Sequence, residues 1–593
     1  EEIIISSKEG FDYITENKNS TIDEGFPSLP SYSFSYGVDP SKEYSIELNI
    51  LSSHVINDID IYPYQSPKME KKNSLVINDS FYNSSLNYPS SNIFHSRSVI
   101  RGNEILTINV IPSSYMPSTN QLTVFDEIEI IIEEAGDRID HSSLQKKSRI
   151  FQKIYNGMIL DTFDNREIDF QDPSILYIID NSVGNNNTAF NSLLEWRRRQ
   201  GYEVNVANED QVGTSVNSVK NYILDAYNNW QNPPEFICLV GDANGTYSIP
   251  TYEVGEGGGW YGAQAESDLP YVLIDGDDTL PDITIGRISV RADDELTTVA
   301  SKIVGYEKLY GGTDWIDNVA LVGDPSDSGI STTITNEYIA LIMENYGVDN
   351  INEQYSGNYE SFMRNQLNNG VSYLNYRGFY GFSGFDSNTV DQLSNGYKLP
   401  FLTTLTCDTG SFEEEQNSIC ETLVKAGSES NPKGAVAVVA TAQPYTHTAF
   451  NNIVAMGMYS GIFLYGAQTA GEALAYGQLA IHQAYPQNPN NNVYYFSAWN
   501  NLMGDPATLL WTDTPKNLVV DYINNISASD DLFNVYIIDD EGNPIEGANV
   551  NLTNGSDLYV NAQSDIHGHA YVSLEGFSGS TFITVSCQDC APY

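Results

Sequence analysis

Between Ser174 and Asp513, short apolar runs alternate with longer amphipathic segments, and few folds accept that order. ILYIID, YEVNVAN, FICLVGD and NVALVGD read as strands, whereas NTAFNSLLEWRRRQG, SVNSVKNYILDAYNNW, ELTTVASKIVGYEKLYGG and TITNEYIALIMENYG carry helical spacing. Alternation of this kind requires crossover connections, and so a parallel sheet with both faces covered. FICLVGD and NVALVGD share one form, which predicts two α/β units built alike. In the second unit, Val371 to Asn375 and Leu399 to Leu405 are further buried-strand runs, each followed by a Gly-containing turn. Open α/β sheets hold their chemistry at the carboxyl ends of strands. Cys407 and the loop Arg377 to Gly384 are therefore expected side by side at one rim.

A rim thiol can act as a nucleophile, but at its ordinary pKa near 8.5 it needs a base, usually His. The neighbouring loop holds no histidine and offers Phe379 and Tyr380 instead. Phe has no titratable group, and a phenol near pKa 10 is a poor base at neutral pH. His447, in the loop PYTHTAFNN after the strand GAVAVVATAQ, is the alternative base; His482 falls within a helical stretch and is a weaker candidate.

The chain has 593 residues, too many for a single core. Residues 1–150 read as all-β, with alternating runs such as YSIELNIL and QLTVFDEIEIIIEE, and a sandwich is the simplest architecture. HSSLQKKSRIFQKIYNGMIL is the one locally basic stretch, either a solvated helix or linker or a cleavage site at Lys146, Lys147 and Arg149. From about Leu518 the pattern returns to β, consistent with a small immunoglobulin-type sandwich; His567 and His569 lie in its turn DIHGH.

With 28 basic against 78 acidic residues, the net charge of −50 argues against nucleic acid and anionic membranes as partners. Scarce Lys with abundant Asn, Ser and Tyr points to an extracellular, bacterial and marine protein. EEIIISSKEG reads as a processed mature end, and the longest apolar run, Gly434 to Ala442, is far below the ~20 residues of a membrane helix. Asp268, Asp275, Asp277, Asp278 and Asp282 crowd one Gly-rich loop, which suits a structural Ca²⁺ as well as a merely solvated loop. Of five cysteines, Cys587 and Cys590 form a C-x-x-C that reads as a local disulfide, and Cys238 as a buried strand residue.

Residues 172–513 resemble the gingipain-type cysteine peptidases. The resemblance is carried by FICLVGD, SDLPYVLIDGDDTLPDITIGRISV, VGYEKL, VSYLNYRG, LPFLTTLTCDTGSF with ICETL, KGAVAVVATA and WNNLMGDP, in that order. It implies a caspase-like α/β fold of two subdomains, 172–312 and 313–515, with mainly parallel sheets. The flanks would be a prodomain-like β-sandwich (1–150), a linker (151–171) and an immunoglobulin-like module (516–593). It places the nucleophile at Cys407 and the catalytic histidine in a motif N-Y-x-G-H-G. Here that motif reads Asn375-Tyr376-Arg377-Gly378-Phe379-Tyr380-Gly381, so Phe379 or Tyr380 occupies the histidine position. Backbone amides near Gly378 would form the oxyanion site.

Three functions follow: a secreted family homologue, inactive or weak because its dyad is broken; an active thiol endopeptidase using Cys407 with His447; or an extracellular structural or adhesive protein reusing the scaffold. Peptide or protein ligands are the expected partners, with no organic cofactor. Asp408 and Glu413 to Glu415 would favour a basic side chain in the site.

Overall fold

The computed structural model describes the chain except residues 1–4, 15–18, 66–74, 139–146, 163–169, 184–185, 257–263, 415, 528–529, 555–558, 576 and 578. Its centre is one sheet of ten strands: β1 (Ser174–Ile179), β2 (Glu203–Asn208), β3 (Phe236–Val240), β4 (Thr284–Ile288), β5 (Asn318–Gly323), β6 (Asn350–Gln354), β7 (Tyr373–Arg377), β8 (Phe401–Thr404), β9 (Ala437–Thr441) and β10 (Asn500–Met503). Their order across the sheet is β2-β1-β3-β4-β10-β9-β8-β7-β5-β6. The interior strands are buried along their whole length because helices cover both faces, as their unbroken aliphatic runs require.

The expectation of two subdomains with their own mainly parallel sheets needs correcting here. β10 comes from the end of the second subdomain, yet it is inserted at the seam. It pairs in parallel with β4 through Arg287 and Met503, and antiparallel with β9 from Val438–Met503 to Thr441–Asn500. One sheet therefore spans both halves. The segments that follow the carboxyl ends of β3, β4 and β8 meet at one edge: Asn244 donates to the Glu413 carbonyl, Arg291 Nη2 to the Glu414 carbonyl at 2.7 Å, and Ser289 Oγ to Glu421 Oε1 at 2.7 Å.

The seam is held by a buried charge network. Arg197, on α1 (Thr188–Arg199), is fully buried. Its Nη1 donates to both oxygens of Glu307 (2.9 and 2.8 Å), at the end of α2 (Asp293–Glu307). Its Nε and Nη2 donate to Asp505 Oδ2 at 3.1 and 3.0 Å. Tyr177 Oη donates to the same oxygen at 2.7 Å. The run TLLWTD that follows β10 forms no strand of the sheet. Leu509 N donates instead to Glu307 Oε1 at 3.1 Å, and Leu510 and Trp511 are buried in the main core.

In the amino-terminal region a four-stranded sheet (including Pro30–Gly37, Ile93–Ile100 and Asn103–Val110) and a three-stranded sheet (Lys42–Asn57, Ser113–Met116, Gln121–Asp137) share a cluster built on Leu106, Ile108 and Val110. This region docks on the edge where β3 and β4 begin. Arg101 is buried there and donates to the carbonyls of Pro233, Pro234 and Asp282. The segment expected to be a linker contains the helix Arg149–Met158, whose Phe151, Ile154 and Tyr155 enter the main core. The carboxyl-terminal module has a four-stranded and a three-stranded sheet around Val535, Ile537, Val550, Val572 and Val585. It is tied to the centre by Thr512 N–H to Asp589 (2.8 Å) and by Asn549 and Asn561 to the carbonyls of Gln200 and Gly201 (both 2.7 Å).

Replacing Arg197 by Met strands two buried carboxylates, a change that typically costs about 3–5 kcal/mol. We expect R197M to lower the thermal midpoint sharply, read by calorimetry, whereas the exposed pair-breaking Arg199→Met costs little.

Candidate active site

β7 and β8 lie side by side in parallel register, with Tyr376 opposite Thr404. Their chain extensions meet at one rim, where Tyr380 bridges to Cys407 and Gly381 N–H donates to the Cys407 carbonyl at 3.0 Å. The Cys407 loop is turned tightly. Asp408 takes a left-handed φ of 61°, and Thr409 Oγ1 donates back to the carbonyls of Thr404 (2.7 Å) and Thr406 (2.8 Å). Gly410 packs against Ala440, where a Cβ would overlap it.

The Cys407 thiol is 2% exposed. Its hydrogen-bond partners all belong to Thr446: the N–H donates to Sγ at 3.3 Å, Oγ1 lies at 3.2 Å, and the carbonyl accepts at 3.6 Å. Thr446 precedes α3 (Thr448–Phe463), so the sulfur faces that helix's amino end. The other two free cysteines, Cys238 and Cys420, are buried, and burial pushes both thiols up.

Phe379 is 38% exposed and Tyr380 56% exposed. Tyr380 Oη donates to Asp408 Oδ2, and this bond, more than partial burial, pushes the phenol up to about 12. It cannot take a proton from a thiol at neutral pH. Gly378 lies against the Tyr376 hydroxyl, which leaves no room for a side chain. The loop beyond is pinned by Ser383, whose Oγ donates to Asp324 Oδ2 at 2.6 Å and lies 2.5 Å from Tyr376 Oη.

His447 is the N-cap of α3, and its Nδ1 accepts the Ala449 N–H at 3.1 Å. Burial pulls its pKa down to about 4. No hydrogen bond joins it to Cys407 among the described residues. His482 lies elsewhere: Nε2 is 2.8 Å from Ser98 Oγ and Nδ1 3.4 Å from Thr279 Oγ1, at the docking face of the amino-terminal region.

Two residues that sequence reasoning passed over also belong to the rim. Arg377, at the end of β7, is fully buried, and its Nε donates to Asn452 Oδ1 at 2.9 Å on the first turn of α3. The adjacent Asn451 donates to Thr446 Oγ1 at 3.2 Å and to the Leu405 carbonyl at 3.1 Å. An arginine closing an otherwise apolar strand was the available sign.

A sequence model of Peptidase family C25 matches residues 168–511, and a model of the C25 propeptide matches residues 6–168. The chain belongs to Peptidase family C25. Its relatives include Gingipain R2 of Porphyromonas gingivalis, 26% identical over 88% of this chain and 72% of that protein. Gingipain R1 of Porphyromonas gingivalis is 24% identical over 96% of this chain and 58% of that protein. Among solved structures, the Arg-specific cysteine proteinase gingipain R superposes with a TM-score of 0.63 at 22% identity, covering 73% of this chain and 98% of that one. The complex of Porphyromonas gingivalis RgpB pro- and mature domains gives 0.61 at 22% identity, covering 71% and 98%. The C25 fold is thus the fold of this chain. The two family models meet at residue 168, later than the boundary of 150 expected from composition.

The acids expected to bind calcium have separate tasks. Asp268 chelates Arg287 at 2.7 Å through each oxygen, and Asp275 accepts from Tyr227 Oη at 2.7 Å. Asp278 accepts the N–H groups of Val99 (2.6 Å) and Leu280 (2.8 Å). Asp282 accepts those of Arg101, Ile274 and Asp275 at 2.7–2.8 Å. The carbonyls of Pro270, Tyr271 and Leu273 converge on the Lys220 ammonium at 2.7–3.2 Å, and Asp277 is exposed. Among the described residues no group of three or more His, Cys, Asp or Glu is disposed to hold a metal ion.

Cys587 and Cys590 are joined as a disulfide. Of the basic stretch, Lys146 lies outside the described residues, Lys147 Nζ donates to Asn103 Oδ1 at 2.8 Å, and the Arg149 guanidinium lies 4.5 Å over the Phe170 ring. Of the acids expected to draw a basic side chain, Asp408 is held by Tyr380 and Ser411. The Glu414 carbonyl accepts from Arg291 at 2.7 Å, burial and Glu253 raise the Glu413 carboxyl, and Glu415 lies outside the described residues. His569 stacks on Tyr536, with ring centroids 4.8 Å apart.

Burial pushes Asp278 up to about 7 against the help of its two N–H donors, with Asp275 and Glu104 adding repulsion. Its folded pKa is thus raised. Its contribution to stability is full below the unfolded value near 3.9 and is lost as pH rises through about 7. We expect the thermal midpoint to fall between about pH 4 and pH 7, and Asp278→Asn to flatten that slope.

Proposed function

We propose that this C25 member is a secreted homologue whose peptide-binding rim is kept while hydrolysis is absent or weak. One observation carries the reading: among the described residues every hydrogen bond of Cys407 Sγ goes to Thr446, and none goes to an imidazole. Amide hydrolysis needs a group that takes the thiol proton and returns it to the leaving amine. Phe379 has no such group, and Tyr380 at about 12 is committed to Asp408. His447, the alternative base, spends Nδ1 on its own helix and, at about 4, is too weakly basic to compete for the proton.

Secretion or display at the cell surface is supported by the Cys587–Cys590 disulfide, which suits an oxidising compartment, and by the charge of −50. No helix among the described residues is long and apolar enough to cross a membrane. Membership of a peptidase family supports a peptide or protein as the ligand class. The amino-terminal region also reaches the neighbourhood of α3: Asn19 Nδ2 donates to the Ala484 carbonyl at 2.9 Å, and the ring of the adjacent Tyr485 lies 5.2 Å from that of Phe450, three residues past His447.

The test is to install what is missing. With basic, acidic and apolar fluorogenic peptides, the native chain and His447→Ala should turn over equally little. Phe379→His should raise hydrolysis at least tenfold, and Phe379→His with Cys407→Ala should abolish it. Ready hydrolysis by the native chain that His447→Ala removes would overturn the reading and establish His447 as the base.

A further inference from the structure

One fully buried arginine has no counter-charge. Arg377 is 0% exposed, its Nε donates to the neutral Asn452 Oδ1 at 2.9 Å, and its Nη1 and Nη2 have no hydrogen-bond partner among the described residues. A buried cation is costly unless it is paired. Each other fully buried arginine has its acid: Arg197 has Glu307 and Asp505, and Arg287 has Asp268. For Arg377 the groups in electrostatic reach are the Cys407 thiol and the Tyr376 phenol, neither of them a carboxylate, and burial pulls the guanidinium down only to about 10, so it stays a cation at neutral pH. Asp324, whose N–H donates to the Arg377 carbonyl at 2.8 Å, turns its own carboxylate to the Ser326 N–H (3.0 Å) and to Ser383 Oγ (2.6 Å).

The strand register shows where the guanidinium lies. Asn375, two residues earlier in β7 and so on the same face, donates to Asn336 Oδ1 at 2.7 Å. Asn336 belongs to the helix Ser331–Tyr346, which covers that face. Arg377 is paired with Gly323 of β5, where an added Cβ would meet the Thr332 carbonyl at 2.9 Å. The Arg377 side chain therefore leaves the sheet at the level of the opening turn of the helix Ser331–Tyr346, and it reaches Asn452 near the start of α3. Each of these helices is 16 residues long, and their amino ends lie on the same side of the sheet as the cation. The helix Ser331–Tyr346 has no side-chain cap, and in its opening turn the buried Thr333 Oγ1 has no partner. Two helix amino ends and a guanidinium all favour negative charge.

We propose that Arg377 and the amino ends of these two helices hold one small monovalent anion, a halide such as chloride, inside the fold beneath the Cys407 rim. Enclosure sets the class of ligand. Arg377, Asn375, Asn336 and Thr332 are all 0% exposed, so an anion that needs an open mouth, such as a peptide carboxylate or a phosphate ester, does not fit. One guanidinium matches one negative charge. Water completes hydrogen bonds but leaves the charge unpaired, which is the larger cost. The bound anion ties β7 to both helices. Thr446, which holds Cys407, directly precedes the N-cap of α3, so the ion also steadies the segment that places the sulfur.

The test is the thermal midpoint of the full chain in sodium chloride against sodium gluconate at equal ionic strength, because gluconate is too large for an enclosed site. A ligand that binds only the folded state raises the midpoint with its concentration. We expect the native midpoint to stand about 2 °C or more higher in chloride, with bromide acting like chloride, and Arg377→Met to show no difference between the salts. In crystals of the native chain grown with bromide, the anomalous peak should lie within hydrogen-bond distance of Arg377 Nη1 or Nη2. If Arg377→Met does not fold, that peak decides. Equal native midpoints in the two salts overturn the proposal even if a bromide peak is seen, since an ion bound only at crystal concentration does not serve the fold. A chloride response that Arg377→Met keeps, or bromide bound elsewhere and not at Arg377, places the ion at another site and overturns it as well.

Discussion

The ion cluster around Arg197 sets the frame on which everything else depends. Its guanidinium joins a carboxylate on α2 to a carboxylate just after β10, and Tyr177 from β1 caps the same oxygen of Asp505. Because Asp505 follows β10 directly, the cluster fixes where the last strand of the second half enters the first. That insertion makes one sheet of two halves. The segments after β3, β4 and β8 then meet at the edge that carries Cys407, whereas the amino-terminal region docks through Arg101 on the edge where β3 and β4 begin.

The same logic of satisfied burial explains an acidic protein with few cations. Many of its buried carboxylates meet one of the few cations, as Glu104, Asp242, Asp268, Glu307 and Asp505 do, and others rest on backbone N–H groups. Asp282 accepts three of them and Asp278 two, and burial still drives both toward protonation. A loop that looked like a cation cage from its composition is closed from within. Lys220 supplies the positive charge that its carbonyls need, and burial pulls that ammonium down to about 8. Acid spacing in sequence cannot distinguish ligands for an ion from acceptors for neighbouring amides, since the two differ only in which way the loop folds.

Strands with continuous aliphatic runs were legible: Phe236–Val240, Asn318–Gly323 and Ala437–Thr441 stand where FICLVGD, NVALVGD and GAVAVVATAQ place them. Three strands were not. Thr284–Ile288 hides in a loop rich in Gly and Asp because its Arg287 is paid for by a distant Asp268. Asn350–Gln354 is a polar edge strand with one neighbour, and Asn500–Met503 is only four residues long. At the site, Cys407 and the missing imidazole could be read directly, since both are statements about residue type. The state of Arg377 could not, because its one partner is 75 positions away and what matters is the partners that its other nitrogens lack.

Losing an imidazole and displacing the thiol it served are different events. In a thiol peptidase the imidazole both draws the proton from sulfur and delivers it to the departing amine. A thiol held by backbone and hydroxyl groups can keep its place without either task being served. Here Cys407 is held by Thr446, and β7 is tied to the same helix through Arg377 and Asn452, so the position of the sulfur depends on β7, β8 and α3 and not on the loop where Phe379 and Tyr380 stand. The residue at the histidine position can therefore change without moving the sulfur.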